Sequence, residues 1–158
     1  MERKWGSDSL VVYNQLDWRM QRIVTRVRDE IGDISLLCGF RNEVEQNDAF
    51  DAGVSQVRWP DGKHNACPSL AVDFQPYPRP VRQIHLWSAL SYYASAAILI
   101  GKEEGVTVRW GGDWNRNGII QDQKFFDLFH IEIVENETTP APISDSVPSG
   151  DVSFWRGG

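Results

Sequence analysis

The feature that most restricts the fold is an apolar repeat at helical spacing near the start of the chain. Its members are Leu16, Met20, Ile23, Val27 and Ile31. A spacing of three to four residues places them on one face of a helix, and Gly32 follows as a stop signal. The repeat predicts an amphipathic helix over residues 16–31, which needs other elements to cover its apolar face.

Further elements that could cover this face follow along the chain. A second helical pattern spans residues 81–102. Its predicted inward-facing residues are Ile84, Trp87, Leu90, Ala94, Ala97 and Ile98. Short apolar runs typical of strands occupy residues 34–38, 70–74, 106–110 and 129–134. Two helices and several strands with unequal connections favour an α+β fold, which we expect to be a small antiparallel sheet flanked by helices.

The chain divides into one predicted domain and a tail. Its 158 residues suit a single compact core. Residues 47–69 are rich in Asp, Gly, Asn, Ser and Pro, and so long a loop inside a compact domain usually carries function. From residue 136 onward the composition is mostly Pro, Ser, Thr and acidic residues. We therefore predict a domain over residues 1–135 and a flexible tail over residues 136–158.

Charge, hydropathy and cysteine content argue against several classes of protein. The net charge of −6 disfavours nucleic-acid binding, which needs a basic face. No apolar run approaches the ~20 residues of a membrane span, and the polar N-terminus lacks the apolar centre of a signal peptide. Cys38 and Cys67 are too few for a disulfide framework, so we expect free buried thiols. The chain is predicted to be a cytoplasmic monomer that does not insert into membranes.

Candidate metal ligands come from a small set of residues. The three histidines of the chain are His64, His85 and His130. A catalytic zinc site needs three protein ligands and an open position for water, and a separate carboxylate must accept a proton. His64, Asp73 and His130 can supply the ligands, and Asp127 or Glu132 the base. On spacing alone His130 could equally be a hydrogen-bonded core histidine, and the remaining histidine is assigned that structural role.

Motifs in several segments of the chain form a wider pattern. They are Gly39-Phe40-Arg41 with Gln46, Gly62-Lys63-His64-Asn65, Pro68-Ser69-Leu70-Ala71-Val72-Asp73-Phe74 with Pro76-Tyr77-Pro78, Trp110-Gly111-Gly112-Asp113-Trp114, and Asp127-Leu128-Phe129-His130-Ile131-Glu132. Together they resemble the family of zinc enzymes that contains D-alanyl-D-alanine carboxypeptidases and L-alanyl-D-glutamate peptidases. Its phage endolysins are the most similar. The resemblance implies a single zinc-peptidase domain.

The resemblance also implies a role for each matching residue. The Zn²⁺ ligands would be His64, Asp73 and His130. Asp127 would be the general base that activates water and then the acid that protonates the leaving amine. Arg41 would bind the scissile carbonyl oxygen as it becomes an oxyanion, a task that suits a fixed guanidinium fork. Glu132 would orient a ligand or the substrate amine, and Gln46 would bind substrate.

A second polar cluster lies in the loop before the last predicted strand. Asp113, Asn115 and Asn117 carry oxygens at alternate positions, a glycine follows, and Asp122 could add a ligand. This arrangement is similar to the first half of a calcium loop. The twelfth position, however, is Lys124 instead of glutamate. The sequence therefore leaves two interpretations open, a weak Ca²⁺ site and an ordinary Asx-turn loop.

These observations predict a peptidase that acts on the peptidoglycan stem peptide. The first hypothesis is an endolysin-like endopeptidase that cuts between L-alanine and D-glutamate, reaching the cell wall after release from the host cytoplasm. The same zinc chemistry on a terminal D-alanine would make the protein a D,D-carboxypeptidase. A third hypothesis is a non-catalytic peptidoglycan-binding or virion structural module of the same fold. The sequence does not separate the two enzymes, because substrate choice depends on the shape of the pocket.

Overall fold

The computed structural model describes residues 4–135, which form helices packed on a four-stranded antiparallel sheet. The helices are α1 (Ser7–Tyr13), α2 (Trp18–Arg26), α3 (Glu43–Asp51) and α4 (Gln83–Glu103). The strands are β1 (Ile34–Cys38), β2 (Ala71–Pro76), β3 (Val108–Gly111) and β4 (Asp127–Ile133), in the sheet order β1-β2-β4-β3. The predicted α+β fold is confirmed. The predicted tail over residues 136–158 lies outside the described residues.

The two central strands separate the hydrophobic core from a polar face. The core residues of β2 and β4 are Val72, Phe74, Ile131 and Ile133, each at most 1% exposed. Successive side chains of a strand point to opposite faces of the sheet. The residues between the core positions, Asp73, His130 and Glu132, therefore lie together on the other face. The alternation brings three polar residues from two strands to one side of the sheet.

The first predicted helix is present but begins two residues later than the apolar repeat suggested. Asp17 is the N-cap of α2, and its carboxylate accepts a hydrogen bond from the backbone N–H of Arg19 at 2.9 Å. An N-cap satisfies a backbone donor that the first helical turn leaves unpaired. Leu16 lies before the cap and is still buried, at 3% exposure. A π-helical turn, Val27–Ile31, continues α2 as far as the predicted end.

Helix α4 covers the sheet, but with a face that differs in part from the predicted one. Leu90, Ala94 and Ala97 are buried as predicted. The prediction was wrong for Ile84 and Trp87, which are 55% and 46% exposed. Successive residues of a helix are rotated by about 100°. Ile84 and Trp87 therefore lie to one side of the buried stripe that Leu90, Ala94 and Ala97 form on the helix.

Small residues let α4 approach strand β3 closely. A Cβ atom added at Gly101 would lie 2.5 Å from a side-chain carbon of Val108. Such a distance is too short for two carbon atoms, so a larger residue would push helix and strand apart. The close contact explains why the helix carries glycine and alanine on its inner face.

Helix α4 is also, within residues 4–135, the one helix long and apolar enough to cross a membrane by length and composition. The earlier count of apolar runs did not single it out. Core helices of globular domains pass the same test, and Leu90 and Ala94 of α4 are completely buried in this core. The absence of membrane insertion stays a prediction.

Two short helices were missed by the sequence analysis, and one of them shortens the predicted loop over residues 47–69. Helix α3 runs to Asp51. Its start is a capping box: the Asn42 side chain accepts from the backbone N–H of Glu45, and Glu45 accepts from that of Asn42. The Asn-x-x-Glu spacing is a helix-start signature, so the sequence contains a signal for the start of α3. The other missed helix is α1.

Candidate active site

The three predicted metal ligands meet at one point on the polar face of the sheet. Asp73 on β2 pairs directly with His130 on β4. The His130 Nδ1 atom lies 3.2 Å from Asp73 Oδ1. His64 Nε2 lies 3.1 Å from both Asp73 Oδ1 and His130 Nδ1. Residues far apart in the sequence thus bring three possible ligand atoms into a triangle.

His64 reaches this point from the long loop between α3 and β2. It lies in a short 3₁₀ turn, Lys63–Asn65, and its carbonyl oxygen accepts a hydrogen bond from the backbone N–H of Arg41 at 2.9 Å. The Asn65 amide donates to the Arg41 carbonyl at 3.1 Å. These bonds tie the loop to the segment after β1, so the position of His64 is fixed on two sides.

Hydrogen bonds on the outer nitrogens orient both imidazoles. His64 Nδ1 lies 2.5 Å from the carbonyl oxygen of Gly39, which can only accept. Nδ1 therefore carries a proton, and Nε2 is the nitrogen that faces Asp73. His130 Nε2 lies 2.8 Å from a carboxylate oxygen of Glu132, which leaves Nδ1 free to bind a metal. Such outer partners are characteristic of metal-binding histidines.

The donor set fits a catalytic zinc site. Zinc bonds of 2.0–2.1 Å in a tetrahedron separate neighbouring ligand atoms by roughly 3.3–3.4 Å. The observed separations of 3.1 to 3.2 Å are close to that value. Two imidazoles and one carboxylate fill three positions and leave the fourth for water or substrate. The group can therefore hold a metal, and its residue types are those that zinc prefers.

Protons compete with a metal for this group. Burial opposes a charge on His64, but the hydrogen bond and charge of Asp73 outweigh burial and raise the pKa of His64 to about 10. Burial likewise opposes a charge on His130, and hydrogen bonds to Asp73 and Glu132 raise its pKa as well. A metal that binds here must displace such protons.

Asp127 lies next to the three predicted ligands but is not one of them. A carboxylate oxygen of Asp127 lies within 4.8 Å of ligand atoms of Asp73 and His130. Burial raises the pKa of Asp127, and the nearby charge of Asp73 raises it further, while His130 and Arg41 oppose these effects. A carboxylate with a raised pKa beside a metal group has the properties of a general base.

Arg41 contacts one of the predicted ligands. Its Nη2 donates to Asp73 Oδ2 at 2.7 Å, and its Nε donates to the sulfur of Cys38 at 3.3 Å. Cys38 is half-buried, and its sulfur lies within 4.8 Å of ligand atoms of His64 and Asp73. The structure thus places a thiol beside the ligand group that the sequence analysis did not associate with it.

Two expectations about burial were wrong. Cys67, predicted to be a buried thiol, is exposed. His85, predicted to be a core histidine, is exposed in the first turns of α4. Each directly adjoins a residue that packs in or against the core, Ala66 before Cys67 and Leu86 after His85. The pattern of apolar residues does not show which of two adjacent residues is buried.

The ligand group opens into a cleft of about 360 Å³. Its lining includes Val54, Ser55, Gln56, Val57 and Asp61 from the long loop, and Arg109, Trp114, Phe125 and Asp127 from β3, β4 and their connection. The expectation that the long loop has a functional position is therefore supported. Arg109 and Trp114 were not among the predicted site residues. Arg109 could have been found, because strand alternation places it on the face opposite to Trp110.

Gln46 is at the edge of the cleft but is itself buried, with 1% exposure. Its amide nitrogen donates to the Ser55 hydroxyl at 2.9 Å and to the Val57 carbonyl at 2.6 Å. Its amide oxygen accepts from Asn65 at 3.3 Å. These bonds hold the loop over the cleft. Direct binding of substrate by Gln46 stays a prediction.

The proposed calcium loop is held by its own hydrogen bonds. The Asp113 carboxylate accepts from the backbone N–H groups of Asn117 at 3.1 Å and Gly118 at 2.9 Å. The Asp122 carboxylate accepts from the side-chain amides of Asn115 at 3.1 Å and Asn117 at 2.7 Å. Two Asx turns accompany these bonds: Asn115 Oδ1 accepts from the backbone N–H of Asn117 at 3.3 Å, and Asn117 Oδ1 accepts from that of Ile119 at 2.8 Å. Ca²⁺ binding stays a prediction.

Comparisons with known proteins identify the fold and the family of the chain. The crystal structure of Serratia marcescens L-Ala D-Glu endopeptidase ChiX is similar in fold, with a TM-score of 0.64 and 22% sequence identity. The match covers 84% of this chain and 91% of that chain. No curated protein matches the chain. The family model for phage L-alanyl-D-glutamate peptidase matches residues 1–134, and the chain therefore belongs to this family.

Proposed function

We propose that the protein is a zinc-dependent endopeptidase that cleaves the bond between L-alanine and D-glutamate in the peptidoglycan stem peptide. The observation that carries the proposal is the triangle of His64 Nε2, Asp73 Oδ1 and His130 Nδ1, with Asp127 beside it. The family to which the chain belongs supports the choice of bond. The protein would act on the cell wall after release from the cytoplasm.

In this proposal His64, Asp73 and His130 hold the ion and Asp127 moves the proton. Zinc bound there would act as a Lewis acid and lower the pKa of a coordinated water to about 7. Asp127 accepts the proton of the attacking water at its carboxylate. It then gives a proton to the nitrogen of the leaving D-glutamate, because a carboxyl group with a raised pKa can serve in both directions.

Arg41 and Glu132 support this chemistry in different ways. A guanidinium carries five N–H donors, and Asp73 and Cys38 each use one of those on Arg41. Since Arg41 also lines the cleft, its remaining donors can stabilise negative charge on the scissile carbonyl oxygen. Glu132 fixes the ring orientation of His130 through a 2.8 Å hydrogen bond, as outer partners of metal ligands do.

The test combines metal analysis with digestion of purified sacculi and mass spectrometry of the products. Wild type should contain stoichiometric zinc and release fragments with a new amino-terminal D-glutamate. His64→Ala, Asp73→Ala and His130→Ala should each lose zinc and activity. The matched control is His85→Ala, since His85 is exposed on α4 and its loss should change neither.

The outcomes separate the three hypotheses. Full zinc occupancy in all three ligand variants would refute the assignment of the metal group. Release of free D-alanine in place of the L-Ala–D-Glu cut would identify a D,D-carboxypeptidase. A folded wild type that binds sacculi without cutting them, and without stoichiometric zinc, would identify a non-catalytic module.

A further inference from the structure

Arg109 places a guanidinium group in the cleft, and only some of its N–H donors are used within the protein. It lies on β3 opposite Glu132 on β4. Its Nε and Nη2 atoms donate to the same Glu132 oxygen, Oε1, at 3.0 and 2.5 Å. A guanidinium has five N–H donors, so three remain, two of them on Nη1. Within residues 4–135, Nη1 of Arg109 has no hydrogen-bond partner.

The guanidinium is held in place and is open to the cleft. Its central carbon lies 5.4 Å from the centre of the Trp114 ring, within the range of a cation–π contact. The bonds to Glu132 hold its other edge. The Arg109 side chain is nevertheless 33% exposed and lines the cleft together with Asp127 and His130. It is a preorganised cation whose free edge is accessible to a bound molecule.

Arg109 lies close to the reacting centre. Glu132 accepts from Arg109 with one carboxylate oxygen and contacts His130 Nε2 at 2.8 Å with the other. Only one carboxylate and one imidazole ring therefore separate the guanidinium from the metal-facing nitrogen of His130. A substrate bound at the metal would therefore place a charged group of the residue next to its scissile bond near Arg109.

The other cations of the cleft are less suited to hold an anion. Arg41 contacts Asp73, and the proposed function assigns its remaining donors to the scissile carbonyl oxygen. Lys63 lines the cleft, but an ammonium on a flexible stem lacks the planar fork that matches a carboxylate. Glu132, which would repel an anion, is already paired with Arg109 and His130. Arg109 is thus the group that offers a carboxylate a fixed pair of donors.

The proposed substrate carries such a carboxylate. A glutamate residue has two carboxyl groups, and only one of them can continue the peptide chain. The other is an anion a few atoms from the scissile L-Ala–D-Glu bond. We propose that Arg109 binds this free carboxylate and makes the enzyme selective for D-glutamate over the derivative in which this carboxylate is an amide. The inference rests on the proposed function and adds the residue that determines this selectivity.

The experiment compares two synthetic stem peptides that differ only in this group, a free carboxylate in one and a carboxamide in the other. The measured quantity is the ratio of the two kcat/KM values. Wild type should prefer the carboxylate peptide by about 10-fold or more, as expected for hydrogen bonds between charged groups. Arg109→Met should bring the ratio close to one. The ratio matters because any disturbance of Glu132 and His130 slows both peptides alike.

The matched control is Lys63→Met, which removes the flexible ammonium group of the cleft and should keep the wild-type ratio of the two kcat/KM values. Equal cleavage of both peptides by wild type would overturn the inference and leave the proposed function standing. A preference that survives Arg109→Met and disappears in Lys63→Met would also overturn it. Cleavage of neither peptide by wild type would overturn the proposed function, and this inference with it.

Discussion

At the scale of single residues, the surroundings of two carboxylates distinguish their roles. Glu132 is buried, but its hydrogen bonds to His130 and Arg109 outweigh burial and lower its pKa. Within residues 4–135 the Asp127 carboxylate has no such hydrogen bonds, and burial together with the charge of Asp73 raises its pKa. A proton acceptor must be able to hold the proton it takes. Residue spacing left both as candidates for the base, the family resemblance implied Asp127, and these surroundings favour Asp127.

Replacing Asp127 by asparagine should therefore separate catalysis from metal binding. The amide is almost isosteric but cannot accept a proton, so Asp127→Asn should keep its zinc and lose about 10²–10⁴-fold in turnover. Turnover of a stem peptide and metal content are measured on the same sample. Glu132→Gln is the comparison variant. A nearly active Asp127→Asn beside an inactive Glu132→Gln would mean that the two roles are reversed.

A second prediction at this scale concerns Arg41. Lysine keeps the positive charge but not the fork of donors, so Arg41→Lys should keep fold and zinc and lose about 10²–10³-fold in turnover, the typical effect of one oxyanion donor. Circular dichroism and metal analysis provide the control, which is needed because Arg41 also contacts Asp73. A loss of less than threefold would contradict the role.

At the scale of elements, the connection between β3 and β4 carries the predicted calcium ligands. It holds Asp113 and Asp122 and leads into Asp127 at the start of β4. If Ca²⁺ binds there, the loop should be ordered by the ion and activity should rise with free calcium. With two carboxylates and no bidentate glutamate, half-saturation is expected near ~10⁻⁴ M.

The test of the calcium prediction is activity against free calcium at constant zinc, for wild type and for Asp113→Ala. Wild type should respond and the variant should not. A flat response of the wild type would assign the loop to the Asx-turn interpretation, with which the backbone hydrogen bonds to Asn115 and Asn117 agree.

The elements also show which patterns are reliable. Strand β1 has the bounds that its apolar run predicted, although it lies at the edge of the sheet and buries only Ile34 and Leu36. Helix α3 has only one buried residue, Gln46. An element that buries so little apolar surface leaves no periodic pattern, and only its capping residues could have revealed it.

At the scale of the whole molecule, the metal group connects parts of the chain that the fold must first bring together. His64 comes from a loop, Asp73 from β2 and His130 from β4. Because such a site does not exist in the unfolded chain, metal-binding free energy adds to folding free energy. Zinc should therefore raise the Tm of the protein.

The increase in Tm should depend on pH. In the metal-free protein the pKa of His64 is raised from 6.5 to about 10. This group stabilises the metal-free fold below about pH 6.5, and its contribution is lost as pH rises through 10. Zinc must displace the proton, so the gain in Tm on adding zinc should grow between about pH 6 and pH 8.

Calorimetry with and without zinc measures this gain, with His64→Ala as the control that should show little of it. A zinc-dependent shift in Tm that is the same at about pH 6 and about pH 8 would contradict the competition between zinc and the proton on His64. The quantity compared at each pH is the difference in Tm between zinc-bound and zinc-free protein. The effects on Tm of groups that titrate alike in both forms therefore largely cancel.

The sequence by itself determined the α+β class, the main helices and strands, and the residue types of the site. Helical and alternating periods follow from backbone geometry alone, and the matching motifs named His64, Asp73 and His130. Two further features became visible in the folded protein alone: the face of α4 that meets the sheet, and the pairing of Arg109 with Glu132. Those features depend on strand register and on burial, and neither is a property of any single segment.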